Sequence, residues 1–99
     1  MQDVDAEFYN RADAHIHLSN EQISENTDRG KVSASFMYSV ARFNAWISAC
    51  GWGDAQEMAQ GKEETIVYFV AEYRKMLEEN LDDYIENFDS YMQATKKKS

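Results

Sequence analysis

The sequence contains no proline, a single cysteine and only four glycines, which all lie from Gly30 to Gly61. A fold rich in strands needs frequent turns, and proline and glycine are the residues that most often supply them. Proline also interrupts helices, so its absence lets helices run long. One cysteine cannot form a disulfide within the chain, which is typical of a reducing compartment. These absences favour an all-α protein of the cytoplasm.

Basic residues are scarce as well. The chain has 10 lysines and arginines against 18 acidic residues, and its formal net charge is -8. Such a chain repels a nucleic-acid backbone unless it has a local basic face, and the only cationic run is Lys96 to Lys98. We interpret residues 96–99 as a frayed basic tail, and we expect no nucleic-acid partner.

Residues 32–52 form the least charged segment, with Arg42 as the one formally charged side chain. Arg42, Asn44 and four serines make this segment too polar to span a membrane, so we expect no membrane partner. The first ten residues have no apolar run typical of a secretory signal. Apolar residues occur all around the segment, which predicts a core helix covered by other helices.

We predict a single helical domain over residues 1–99, with helices at about 5–25, 31–50 and 54–95. Asp5 can cap the first helix and Asp54 the third, where Glu57 would complete a capping box, and we expect Gly51 to end the second helix. The second helix is expected to pack between the first helix and the first half of the third. The fold class is therefore all-α, a three-helix, possibly four-helix, bundle with a long C-terminal helix.

The third predicted helix is too long for its partners, at about 60 Å against about 30 Å for each of the others. Its second half still has one apolar face, formed by Leu81, Tyr84, Ile85, Phe88, Tyr91 and Met92. Either the helix breaks near Asn80 and a fourth helix folds back, or this face pairs with a second chain. The apolar face continues from the first half with little drift, which favours an unbroken helix and a homodimer.

Two motifs suggest metal chemistry, but neither fits a helix. Asp13, His15 and His17 resemble the Asp-x-His-x-His strand of amidohydrolase barrels, yet on a helix the two histidines point about 200° apart. The carboxylates between residues 78 and 89 have no Glu-x-x-His partner of the kind that helical di-metal sites use. We expect His15 on the packed face and His17 in solvent, and we predict no metal and no cofactor.

No catalytic residue is predicted. Cys50 lies at a helix C-terminus, where the dipole disfavours a thiolate, so we expect a buried and inert thiol. A lone charge on an apolar helix should be paired, and Arg42 is expected to bind an acid of the first or third helix. The alternative is an anion or small-molecule pocket in the bundle, lined by Arg42, Asn44, His15 and Trp46.

Two segments, residues 8–20 (FYNRADAHIHLSN) and 32–45 (VSASFMYSVARFNA), resemble a family of short proteobacterial proteins known only as a domain of unknown function. The resemblance implies a small, all-helical bacterial protein of the cytosol. It transfers no active-site residue.

From these observations we predict a non-catalytic protein-interaction or regulatory module that acts as a homodimer. Its acidic face offers a surface to a protein partner, and the apolar face from Leu81 to Met92 forms the dimer interface. The alternative is a small-molecule or anion binder, or an enzyme, with its pocket around Arg42.

Overall fold

The computed structural model describes residues 5–98, and the side chains of residues 5–93. These residues form five helices: α1 (Phe8–Gln22), α2 (Arg29–Cys50), α3 (Ala55–Gln60), α4 (Lys62–Glu86) and α5 (Phe88–Lys98). No strand occurs among them. The predicted all-α class is confirmed, whereas a three-helix or four-helix bundle stays a prediction.

The chain divides into two compact units, residues 1–59 and 60–99. In the first unit α1 contacts α2, and in the second α4 contacts α5. The expected single domain over residues 1–99 stays a prediction.

The first helix begins later and ends earlier than the sequence predicts. The carboxylate of Asp5 accepts the backbone N–H of Glu7 at 3.3 Å and a guanidinium N–H of Arg11 at 2.8 Å, and α1 starts three residues after it. At the other end, the backbone groups of Ser24 and Thr27 bond to each other, at 2.9 and 3.3 Å. Serine and threonine favour such turns over continued helix, and this turn ends α1 at Gln22 rather than near residue 25.

Helix α2 begins at Arg29, two residues before its predicted start, because Asp28 caps it. The Asp28 carboxylate accepts the backbone N–H of Lys31 at 3.0 Å, which satisfies a donor that the first helical turn leaves free. Gly30, which precedes the predicted start at residue 31, therefore lies inside the helix. At its other end α2 stops at Cys50, and Gly51 follows as the C-cap.

A capping box starts the next helix where the sequence predicts one. Asp54 accepts the backbone N–H of Glu57 at 2.9 Å, and the Glu57 carboxylate accepts the N–H of Gly53 at 2.8 Å. The helix that follows, α3, has only six residues and ends before Gly61. The predicted continuous helix over residues 54–95 is therefore wrong, and Gly61 is its first interruption.

The second interruption lies at Asn87, not near Asn80. Asn80 is inside α4, where its side-chain amide donates to the carbonyl of Met76 at 2.8 Å. The backbone of Asn87 leaves helical geometry, and its side-chain amide donates to the carbonyl and the carboxylate of Asp83, each at 3.0 Å. The chain resumes at once as α5, which extends to Lys98 through most of the predicted tail. The predicted apolar face is therefore divided between α4 and α5.

Little apolar surface is covered within the described side chains. Val32, 4% exposed, is the one buried hydrophobic side chain between residues 5 and 93. The His15 and Phe36 rings, on α1 and α2, lie 6.4 Å apart. The expectation that α2 is covered on all sides is wrong, because the ring of Tyr38 is 66% exposed and those of Phe43 and Trp46 are 59% exposed.

No helix among residues 5–98 combines the length and the apolarity needed to cross a membrane.

Candidate functional site

An open cleft of about 640 Å³ lies along α2 and is formed by side chains of this helix. Its lining residues are Tyr38, Ser39, Arg42, Phe43, Ala45 and Trp46, and we call it the Arg42 cleft. Positions 38, 42 and 46 are four residues apart, so they stack along one face of the helix. The Phe43 and Trp46 rings, 5.5 Å apart and inclined at 44°, form one wall.

Arg42 gives this cleft its only charge. Its guanidinium forms no ion pair or hydrogen bond with any residue in the part of the chain that the structure describes. The expected salt bridge to the first or third helix is therefore absent there. A guanidinium presents several N–H donors in one plane and binds carboxylates or phosphates in pairs of hydrogen bonds. The cleft thus combines exposed aromatic surface with an available anion-binding group.

The four predicted ligand-binding residues do not converge. Arg42 and Trp46 line the cleft, whereas Asn44 and His15 are not among its lining residues. Asn44 follows Arg42 by two positions, which turns it to the opposite side of α2. His15 lies on α1, against the ring of Phe36. The pocket as predicted, with all four side chains, is not formed, and a role for Arg42 and Trp46 in binding stays a prediction.

The remaining candidates for chemistry are exposed. His17 is in solvent as expected, and it pairs with Glu21 at 3.2 Å. Cys50 is exposed, so the expected burial of its thiol is wrong. Within the described residues, no three histidine, cysteine or acidic side chains are grouped so that they could hold a metal ion.

The predicted dimer interface is an exposed apolar surface at the α4–α5 junction. We call it the C-terminal stripe, and it consists of Leu81, Tyr84, Ile85, Phe88, Tyr91 and Met92. Ile85 is 73% exposed, while Leu81, Tyr84 and Phe88 are about half exposed and Met92 is half-buried. The stripe therefore presents several large apolar side chains to solvent.

Asp83 holds the two halves of the stripe together. Besides Asn87, its carboxylate accepts the Tyr91 hydroxyl, at 3.1 Å to one oxygen and 3.3 Å to the other. The Tyr84 and Tyr91 rings pack edge to face with centroids 4.7 Å apart. The bond to the carboxylate, followed by partial desolvation, raises the pKa of Tyr91 above its ordinary value. This cluster fixes the direction in which α5 leaves α4.

Sequence reasoning missed three parts of these surfaces. Phe43 was not among the predicted site residues but lines the cleft, and its spacing of three residues from Trp46 could have indicated this. The roles of Asp83 and Asn87 had a weaker signal, since residues four apart are neighbours on any helix and their spacing alone does not mark an interruption.

The comparisons with known proteins agree with the resemblance noted in the sequence. Residues 8–85 match a family described as protein of unknown function, DUF3144, and both resembling segments lie inside this range. The chain is also similar to the NMR structure of the protein NB7890A from Shewanella sp, with 38% sequence identity and a TM-score of 0.77. That match covers 94% of this chain and 98% of the other. No curated protein matches.

Proposed function

Because the chain belongs to DUF3144, a family of proteins of unknown function, we propose its role from its exposed surfaces: a non-catalytic protein-interaction or regulatory module that acts as a homodimer. The observation that carries this proposal is the exposure of the C-terminal stripe, where four large apolar side chains are at least half exposed. Large exposed apolar patches on small proteins mark sites of protein association.

Full burial of a large apolar side chain is worth about 1.5 to 3 kcal/mol, so covering the exposed half of one is worth about 1 kcal/mol. The free energy of dimer formation would therefore gain several times that amount if a second chain covered the four side chains that are at least half exposed, Leu81, Tyr84, Ile85 and Phe88. Asp82 and Glu86 are exposed acids on the same helix, and such charges favour the solubility of the separated chains.

The acidic surface is the second part of the proposal. With a net charge of -8, the chain is suited to a protein partner that carries a basic surface. A single exposed cysteine, Cys50, fits a reducing compartment such as the cytoplasm.

The test compares molar masses in solution. We expect the wild-type chain to sediment at about twice its monomer mass of 11.5 kDa. A variant with Leu81→Ser, Ile85→Ser and Phe88→Ser should sediment as a monomer, because these substitutions remove the apolar area that a second chain would cover. Circular dichroism should show that the variant stays helical, since these side chains are largely exposed in the single chain.

Tyr68 provides a matched control. It lies on α4 and is 54% exposed, the same exposure as Phe88, but it is outside the C-terminal stripe. Tyr68→Ser should leave the dimer intact. If the triple serine variant dimerises as well as the wild type, the stripe is not the interface.

A second candidate function is the binding of a small anion at the Arg42 cleft, and the unpaired guanidinium among aromatic side chains supports it. Inorganic phosphate is a suitable probe. If the cleft binds it, phosphate should shift the indole N–H signal of Trp46 in a saturable way, and Arg42→Met should abolish the shift while the protein stays folded. Unfolding of Arg42→Met would instead indicate a structural role.

A further inference from the structure

The helix α2 is a positive element in an acidic protein. It contains Arg29, Lys31 and Arg42 and no acidic residue along its whole length. By contrast, α4 contains eight acidic residues and three basic ones. Two surfaces of opposite charge on one chain can recognise each other between two copies.

Arg42 is the cation of α2 that lies in a binding surface. It is exposed, it has no ion partner within the described part of the chain, and Tyr38 and Trp46 flank it one turn away on either side. A carboxylate that reaches Arg42 would be partly shielded from water by these rings. Such shielding strengthens an ion pair relative to one in open solvent.

Two carboxylates lie beside Ile85, the most exposed residue of the C-terminal stripe. At about 100° per residue, Asp82 lies about 60° around α4 from Ile85, and Glu86, one turn after Asp82, lies about 100° from it. Neither carboxylate forms an ion pair or a hydrogen bond with another described residue. We call this pair the acidic edge. The stripe and its edge therefore offer apolar surface and free carboxylates side by side, as the Arg42 cleft offers aromatic surface and a free guanidinium.

We propose that the Arg42 cleft of one copy receives the C-terminal stripe of a second copy, with Arg42 paired to Asp82 or Glu86 of that second copy. This inference rests on the proposed function, because it specifies which surface the stripe meets in the dimer. In a two-fold dimer each copy contributes one cleft and one acidic edge, so the contact forms twice. The aromatic side chains of the cleft and the apolar side chains of the stripe cover one another.

Charge reversal tests this pairing. Arg42→Glu places a negative charge against the acidic edge, and the double variant Asp82→Lys, Glu86→Lys places positive charges against Arg42. Each variant alone should lose both contacts of the dimer. Since an Arg–carboxylate pair is worth about tenfold in affinity, the loss of two should raise the dimer dissociation constant by about 100-fold.

Mixing the two variants gives the decisive result. In a heterodimer of the two variants, one contact joins the native Arg42 of the lysine variant to the native acidic edge of the other chain. The second contact joins the new glutamate at position 42 to the new lysines, so both contacts are attractive. The mixture should therefore return to the dimer mass. Repulsion within a single chain could not be relieved by mixing, because each variant would keep it.

Arg29→Glu is the matched control. It reverses the same kind of charge on the same helix, but at the first residue of α2, about 20 Å along the helix from Arg42. The Arg29→Glu chain should remain a dimer. Circular dichroism of all the variants should show unchanged helix content.

The outcomes separate the inference from the proposed function. A monomeric wild type refutes the proposed function. A dimeric wild type with an equally dimeric Arg42→Glu refutes only the pairing, as does a mixture that stays monomeric while both chains are folded. If Arg42→Glu remains dimeric but abolishes a phosphate-induced shift at Trp46, the occupant of the cleft is a small anion and the pairing is overturned.

Discussion

The side-chain amide of Asn87 donates to both the backbone carbonyl and the carboxylate of Asp83, each at 3.0 Å. These two bonds hold the interruption between α4 and α5, and the same carboxylate accepts the hydroxyl of Tyr91 from the next helix. One aspartate thus links both sides of the junction that carries the C-terminal stripe.

The first prediction concerns Tyr91. Its bond to the Asp83 carboxylate raises the pKa of its hydroxyl, and Asp83→Asn should lower that pKa toward 10.0 because an amide does not repel the phenolate. The folded chain holds this proton more tightly than the unfolded one. The hydrogen bond from Tyr91 to Asp83 therefore contributes fully to stability below about pH 10. This contribution is lost as the pH rises through the higher pKa of Tyr91 in the folded chain.

A titration of the tyrosine signals by NMR measures this effect. An unchanged Tyr91 pKa in Asp83→Asn would show that the bond does not exist in solution.

The second prediction concerns the start of α1. Hydrogen bonds from Arg11 lower the pKa of the Asp5 carboxyl from its ordinary 3.8, with a smaller contribution from the backbone N–H of Glu7. Arg11→Gln should raise this pKa toward 3.8. Because the folded pKa is depressed, the stabilisation is present above about pH 4 and is lost as the pH falls through the folded pKa.

Carboxyl carbon shifts of Asp5, followed through an acid titration, provide the measurement. Arg29→Gln removes an arginine that does not contact Asp5 and should leave the titration unchanged. If the titration curve of Asp5 is the same in Arg11→Gln and in the wild type, the ion pair between Asp5 and Arg11 does not form in solution.

The third prediction uses two glycines. Gly30 lies in the first turn of α2, and a Cβ there would have only an ordinary contact, 3.5 Å from an Asp28 carboxylate oxygen. Gly30→Ala should therefore stabilise the protein by about 0.5 to 1 kcal/mol, since alanine has the higher helix propensity. Gly53→Ala should stabilise less, because its Cβ would lie 2.9 Å from the Glu57 carboxylate that Gly53 binds. Urea denaturation ranks the two variants, and the reverse order would be inconsistent with these contacts.

The fourth prediction concerns the cap of α2. Asp28→Ala removes the acceptor of the Lys31 N–H and should cost about 1 kcal/mol in the free energy of unfolding. Asp28→Ser keeps an acceptor oxygen and should retain most of the stability. If both variants lose the same amount in thermal unfolding, the cap is not the cause.

Local signals in the sequence predicted several helix ends. The capping box of Asp54 and Glu57 and the end of α2 at Gly51 depend only on residues close together in the sequence, so they could be predicted. The interruptions at Gly61 and Asn87 were not predicted. A glycine or asparagine inside a helix costs only about 0.5 to 1 kcal/mol, so the sequence alone does not decide whether the helix continues through it.

The candidate sites show the same limit. Arg42 and Trp46 share the cleft because their spacing on one helix places them together, and the same geometry could have excluded Asn44. The position of His15 relative to α2 depends on how two helices pack, which periodicity does not specify. The C-terminal stripe was predicted as a set of residues, but its division between two helices depends on the bonds between Asp83 and Asn87.

The central claim is that the stripe is covered by a second copy. Sedimentation equilibrium of the wild-type chain over a concentration series tests it most directly. We predict a mass of about twice 11.5 kDa that falls toward the monomer value on dilution. A mass of 11.5 kDa throughout, up to millimolar protein, would contradict it.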